Sequence, residues 1–464
     1  MADRTEPFLA RAGLALAQWT EKWFPDSLVF AFLGILATFF LGLCIGQPPA
    51  RLASEGGKSF WALVPFTMQM AMVIIGGFTV ASAPAVSGLI ERLARVPKTP
   101  RGAVAFVAFF SMASSLLSWG FSLIFSGLLV KALARRMKDL DYRAAGAAAY
   151  LGLGAVWALG LSSSAALMMA TKSAMPQKIF AISGRIPLTQ TLFLWQSLLL
   201  AAILVSVSVL IAYASAPGAG QGRNAASFGV DLSPRKLDFA PATRPGEWLE
   251  HSPLLNLLMA GLLTWYLARL FLTSPHGILA ALDLDTYNLL FITAGLLLHW
   301  RPKCFAAAVA QAVPAAGGVL IQFPFYAVIF GMITGAGISE WMARSFARLS
   351  TPGTYPILVA AYSAALGIFI PSGGSKWAVE ATYILEAAKL HHVHLGWVVQ
   401  TYNAAEALPN LVNPFWMLPL LAILGVKARD LVGYSFLQFL VHVPVVFFLC
   451  WLLARTLPFV PAAP

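Results

Sequence analysis

Charge is scarce in this chain. Asp, Glu, Lys and Arg make up 11% of its 464 residues, against about 25% in a soluble domain, which excludes an ordinary solvated globule. Cysteine is scarcer still: Cys44, Cys304 and Cys450 lie scattered in or beside apolar runs. They form neither a disulfide framework nor a zinc spacing. Walker, kinase and His-Glu-x-x-His signatures are missing, and so is the pattern of a cleavable leader. Residues 1–26 instead mix Arg4, Glu6, Arg11, Glu21 and Lys22 with Phe8, Leu9, Trp19, Trp23 and Phe24, which predicts a helix lying in a membrane interface. Apolar residues are abundant, at 59% of the chain with a mean hydropathy of +0.76. At about 20 residues per span, that composition gives a polytopic membrane protein with room for roughly ten crossings.

The net charge of +12 does not point to nucleic acid, because the basic residues sit in short loops between apolar runs. Spans are expected at about 27–46, 61–83, 145–171, 190–214, 254–273, 286–300, 313–335, 397–424 and 431–456. Two more apolar stretches, about 102–130 and 355–387, have polar breaks and are read as re-entrant hairpins. Arg92, Arg95, Lys98 and Arg101 precede the first, and Lys131, Arg135, Arg136 and Lys138 follow it. Two basic flanks belong on one face, so this stretch should enter and return. With nine crossings and a cytoplasmic N-terminus, the inner face then carries about twice as many Lys and Arg as the outer one. Asp139 and Asp141, beside Arg135, Arg136 and Arg143, read as a solvated loop.

An internal echo organises the rest. At an offset of 252, Arg92/Arg344, Thr99/Thr351, Pro100/Pro352, Val107/Val359, Ala108/Ala360, Ser111/Ser363 and Ala113/Ala365 coincide. The expected fold is therefore all-α with two inverted repeats, 27–214 and 286–456. Each holds a re-entrant hairpin and an interrupted span. Residues 215–253 form a polar, partly disordered cytoplasmic linker, and a helix at 254–273 reverses the second copy.

Broken backbone at hydrocarbon depth must be buried in protein or line a cavity, and it is expected at four places. They are the tips Ser118–Ser122 and Pro371–Lys376, the run Gly160–Ser164, and the segment holding Asn403, Glu406, Pro409, Asn410, Asn413 and Pro414. Half-helices starting at breaks aim N–H groups and positive dipole ends inward, a setting for a small anion. The candidate substrate-binding residues are Ser118, Trp119, Gly120, Ser162, Ser163, Ser164, Ser372, Gly373, Gly374, Ser375, Lys376, Asn410 and Asn413. Lys376 either meets a substrate carboxylate or snorkels to the outer water. Glu406, read as the only acid well inside an apolar span of the second half, pairs with Lys376, carries a coupling proton or holds a cation. Asn410 and Asn413 either bond substrate or cap the broken helix. No catalytic, metal or cofactor site is expected: His391, His392 and His394 lack Cys or carboxylate companions. Gly76-Gly77 and Gly317-Gly318 read as close helix packing.

These stretches resemble the bacterial short-chain fatty acid transporters of the acetoacetate-degradation type, from about Trp23 to Leu453. The most specific are Ser118-Trp119-Gly120-Phe121, Val319 to Ala327, Pro371-Ser372-Gly373-Gly374 with Trp377, and Glu406, Asn410 and Pro414-Phe415-Trp416. The resemblance implies uptake of monocarboxylates such as acetoacetate or butyrate across the bacterial cytoplasmic membrane. It also implies kinship with the wider ion-transporter superfamily, whose members are usually homodimers. In those relatives a mobile domain moves against a scaffold in an elevator-like way. Here the mobile part would be about 102–171 and 355–424, and the scaffold and any dimer contact 27–83 and 286–335. Two departures stand out. Lys376 stands where family members carry His or another polar residue, and neither tip has the Ser-Asn-Thr triplet that binds sodium in many relatives. The coupling ion is thus H+ or Na+, with H+ gaining.

The leading expectation is an ion-coupled secondary carrier. Its rivals are a carrier of dicarboxylates or other organic anions, a passive anion channel, and a membrane-embedded enzyme. The enzyme would need a nucleophile–base pair or metal ligands that Ser162–Ser164 lack.

Overall fold

The computed structural model describes residues 27–62, 64–170, 175, 177–233, 242–274, 281, 284–338, 341, 348–369 and 373–460. The expected interfacial helix of residues 1–26 and the tip residues Pro371 and Ser372 lie outside them. Among the described residues every regular element is helical. The first half runs α1 (Ser27–Cys44), α2 (Pro49–Ser59), α3 (Val64–Ser82), α4 (Pro84–Leu93), α5 (Pro100–Leu117), α6 (Trp119–Arg136), α7 (Tyr142–Leu151), α8 (Ser164–Ala170), α9 (Gln177–Ser183) and α10 (Trp195–Ser215). After α11 (Glu247–His251) and α12 (Leu254–Thr273) come α13 (Leu284–His299), α14 (Pro302–Gly335), α15 (Tyr355–Phe369), α16 (Gly373–Leu390), α17 (Leu395–Ala407), α18 (Leu418–Leu424) and α19 (Ala428–Ala454).

Six helices among the described residues are long and apolar enough to cross a membrane, and the bent pair α3–α4 would make a seventh. The nine expected crossings include pieces too short or too interrupted to reach that length, such as α13 and the α17–α18 segment. Apolar side chains face outward as lipid requires: on α12, Leu254, Leu258, Leu262 and Trp265 are all exposed. The expected span 313–335 is longer than read, since α14 begins at Pro302 and carries Pro314 and Pro324 inside it.

Both polar-broken stretches double back. Ser122 Oγ donates to Ser111 O at 2.6 Å and Tyr362 OH bonds Tyr383 OH at 2.7 Å. In straight helices these pairs would be separated by about 16 and about 31 Å at 1.5 Å per residue. The first turn is tighter than the expected Ser118–Ser122. Only Ser118 is extended (φ −153°, ψ 114°), and its hydroxyl caps α6 by accepting from Phe121 N. The two serines that coincide at the offset of 252 play matching parts. The carbonyl of Ser111 takes the Ser122 hydroxyl, and that of Ser363 takes the Lys376 ammonium at 2.7 Å.

The helices fall into two groups. In one, α14 packs along α1, α2 and α3, and α13 packs on α3. In the other, the hairpins pack on the interrupted helices, α5 on α7 and α15 on α17, with α10 and α19 alongside. Close backbone approach joins the groups: a Cβ on Gly77 would lie 3.0 Å from Gly120 O. Gly76 and Gly318 meet side chains, Phe291 at 3.0 Å and Leu418 at 2.6 Å, whereas Gly317 has nothing near it.

The linker departs from expectation. Arg223 N donates to Asp141 Oδ2, Tyr142 N to Arg223 O, and the Arg135 guanidinium to Leu232 O, so 216–233 is docked rather than loose. Asp141 and Arg143 are consequently not a solvated loop. Asp141 is buried, caps α7 through the N–H groups of Arg143 and Ala144, and pairs with the Arg143 side chain at 3.1 Å.

Gly160 marks a backbone-to-backbone contact between hairpin and interrupted helix. A Cβ there would sit 2.5 Å from Leu116 Cα and O, both backbone. Gly160→Ala is therefore expected to cost about 1–3 kcal/mol through overpacking. Gly317→Ala, in open mid-helix, is expected to be neutral or to stabilise by up to about 1 kcal/mol. Thermal unfolding in detergent compares them, and equal midpoints would contradict the close-approach account.

Candidate functional site

The four interruptions meet. α7 does not end cleanly. It widens into a π-turn over Gly152–Val156, tightens into a 3-10 turn over Trp157–Leu159, and opens at Gly160 before α8. The unwinding thus starts earlier than the expected Gly160–Ser164. In the second half α17 stays regular through Ala407, so Asn403 and Glu406 lie on helix rather than on broken backbone. The chain opens only in the 3-10 turns Leu408–Leu411 and Pro414–Met417.

Groups freed at one break are satisfied by another segment. Leu161 N donates to Leu116 O at 2.8 Å, and Trp119 N to Ser162 Oγ at 3.3 Å. Tyr402 OH donates to Gly373 O at 2.7 Å, and Asn413 Nδ2 to Ile368 O at 3.1 Å. Between the breaks lies a tight cavity lined by Trp119, Leu153, Trp157, Ser164, Gly373, Asn410 and Trp416. At about 20 Å³ it holds about one water. Trp416 stands edge-on to Trp119, with ring centroids 5.2 Å apart, and Phe323 backs it at 5.5 Å. Two 18-residue helices, α6 and α16, begin at this cavity and direct their positive dipole ends toward it.

Of the expected substrate residues, the structure brings Trp119, Ser164, Gly373 and Asn410 together. Ser118 serves as a helix cap and Ser162 receives the Trp119 N–H. The hydroxyl of buried Ser163 accepts from Ala166 N at 3.4 Å. Gly120 packs on α3 against Val73. Gly374 faces Ser164, whose Cβ would be 3.1 Å from a Cβ there. Asn413 braces the end of α15. Ser372 lies outside the described residues, and Ser375 is on α16.

Lys376 does not reach outer water. It is 1% exposed and ion-paired with Glu406. Its Nζ also donates to Ser363 O, lies 3.8 Å from Glu380 Oε1, and sits 4.9 Å from the Tyr402 ring centroid. Glu406 is therefore not the only acid inside the second half. Glu380 was missed although it stands one turn after Lys376, the i,i+4 spacing of a helical ion pair. Trp157 and Tyr402 had no sequence signal beyond being aromatic, whereas Trp416 already stood in the Pro414-Phe415-Trp416 motif. The histidine run has structural roles: His394 Nδ1 accepts from Trp397 N, and His391 bonds Ser350.

Lys376→Met would leave Glu406 buried beside Glu380 with no cation between them. A loss of about 3–5 kcal/mol is expected, the usual cost of removing one partner of a buried pair. Adding Glu406→Gln should recover part of it. Unfolding midpoints of the single and double variants test this, and a Lys376→Met protein as stable as the wild type would contradict the buried pairing.

The chain was compared with known proteins. A family model described as "Short chain fatty acid transporter" matches residues 8–453. Two curated proteins bearing the name "Putative short-chain fatty acid transporter" are similar over nearly their whole lengths. That of Escherichia coli (strain K12) is 33% identical over 431 residues, 92% of this chain and 96% of its own. That of Haemophilus influenzae is 28% identical over 445 residues, 94% and 98% respectively. Among solved structures, Neisseria gonorrhoeae MtrF, from a class described as antimetabolite efflux pumps, is 14% identical with a TM-score of 0.49 over 97% of this chain and 98% of its own. The Alcanivorax borkumensis YdaH transporter is 13% identical with a TM-score of 0.49 over 94% and 100%. Scores of that size carry no weight for fold or function. The family match, with its apolar helices and four interrupted segments around one cavity, makes this a multi-pass membrane protein, and the chain belongs to the short-chain fatty acid transporter family.

Proposed function

We propose that the protein is a secondary active carrier that takes up short-chain monocarboxylates such as acetoacetate and butyrate by alternating access. The observation that carries this reading is the cavity where Trp119, Ser164, Gly373 and Asn410 converge. Two helix N-termini offer positive potential to one carboxylate. Ser164 and Asn410 supply hydrogen bonds, and Trp119, Trp157 and Trp416 provide an apolar wall for a short acyl chain. The lining contains no cationic side chain, and Lys376 is already held by Glu406, Glu380 and Ser363 O. One carboxylate suits this setting better than two, which disfavours a dicarboxylate carrier.

With room for about one water, the site must rearrange to admit a short-chain acid, as alternating access requires. The two helix groups are natural candidates for scaffold and mobile domain. Contacts match between the halves, α1 on α14 with α13 on α3 across them and α5 on α10 with α15 on α19 within them, which supports two equivalent repeats; that they are inverted rests on the odd number of crossings expected between their starts. The basic loops support an orientation with the N-terminus inside, and membership of the family supports placement in the cytoplasmic membrane. A homodimer would use the scaffold group.

The test is the initial rate of saturable, protein-dependent butyrate uptake into proteoliposomes. Unlabelled butyrate preloaded inside should accelerate it, and succinate should compete poorly. Asn410→Ala should raise KM about tenfold, the loss of one hydrogen bond of about 1.5 kcal/mol to a charged ligand. Uptake that never saturates, or lacks trans-acceleration, would favour a channel; strong competition by succinate would favour a dicarboxylate carrier.

A further inference from the structure

Glu380 is 0% exposed and enters no part of the substrate cavity. Its Oε2 accepts the Ser363 hydroxyl at 3.2 Å, and its Oε1, 3.8 Å from Lys376 Nζ, has no hydrogen-bond partner. Glu406 holds the same ammonium more closely from α17, and Ser363 O takes a third side. Two carboxylates thus share one cation in a place sealed from water. With both ionised, the cluster would carry a net negative charge there, a state proteins avoid because desolvating an unpaired charge costs several kcal/mol. One bound proton makes it neutral.

We propose that Lys376, Glu380 and Glu406 form a single proton-carrying site, with Glu380 holding the proton, and that this site couples proton movement to carboxylate transport. The proposal rests on the carrier reading above. Glu380 is the member that takes the proton because Glu406 has the closer hold on Lys376, while Glu380 has an oxygen to spare and only a hydroxyl donor beside it. The other titratable groups facing the cluster are phenols: Tyr362 from α15, Tyr383 from α16 and Tyr402 from α17. Phenols, with an ordinary pKa near 10, add no charge in the working range. A sodium ion would need several oxygen ligands, and the ammonium already occupies the oxygens of Glu406 and Ser363.

The site lies one residue's thickness from the substrate cavity. A Cβ on Gly373 would be 2.5 Å from the Trp157 ring and 3.6 Å from Glu406 Cγ. Tyr402, stacked over the Lys376 ammonium, also bonds Gly373 O. A carboxylate arriving in the cavity places a second negative charge in the same low-dielectric region, so it binds better when Glu380 is already neutral. By linkage, proton and substrate then raise each other's affinity to the same degree. One proton and one carboxylate enter together and leave together, and Lys376 stays charged throughout.

The experiment compares wild type with Glu380→Gln in proteoliposomes, by the initial rate of saturable butyrate uptake above protein-free vesicles, since butyric acid itself crosses a bilayer. An inward proton gradient should accelerate wild-type uptake. In Glu380→Gln that acceleration should vanish while butyrate/butyrate exchange continues. Retained acceleration in the variant, or acceleration of the wild type by a sodium gradient alone, would overturn the proposal and leave the carrier reading intact. Absence of any saturable exchange in the wild type would remove the carrier reading itself. A second measurement needs no variant. Infrared spectra of the wild-type protein at neutral pH should show the C=O stretch of a buried protonated carboxyl that shifts on adding butyrate, and its absence would overturn the proposal.

Discussion

The structure depends on one constraint: peptide groups released by a helix break inside a membrane have no water to turn to. Each break in this chain is tolerated because another segment supplies its partner. Leu116 O takes Leu161 N, Ser162 Oγ takes Trp119 N, and the Tyr402 hydroxyl reaches Gly373 O. An unsatisfied group at such depth costs several kcal/mol, so no interruption is stable alone. Their convergence on one cavity fits this, because groups left over at one break meet partners at another break or on a side chain beside it.

The same requirement explains where small residues fall. Gly160 lets the opened chain touch the Leu116 backbone, and Gly77 lets α3 approach the start of α6 at Gly120. The second contact crosses between the two helix groups. There the Val73 side chain also closes on Gly120, onto the place where a Cβ would stand.

Charge obeys a similar rule. The only described cation deep in the second hairpin is enclosed by two carboxylates, a backbone carbonyl and an aromatic face. The cavity beside it presents helix dipoles, the Ser164 hydroxyl and the Asn410 amide instead of full charges. On the proposed reading, separating the two tasks would keep the anion site weak enough to release its load, with the ionic cluster a few ångströms away through low-dielectric protein.

Much of this was legible in one dimension. Composition dictated a membrane protein, because 59% apolar residues leave no solvated surface to build. Ser118, Gly160–Ser164 and Pro371–Lys376 announced interruptions, because no helix continues smoothly through such runs. The echo of Ser111 in Ser363 drew attention to two stretches that both double back. Partnership was what the sequence left open. Lys376 could have reached water, substrate or Glu406, and packing of α16 on α17 and α15 decided for Glu406 and Ser363 O, with Glu380 one turn along its own helix. Asp141 read as a solvated loop until the linker folded over it. Local chemistry determines where a chain must break, and burial by distant segments decides what each broken end and each charge will meet.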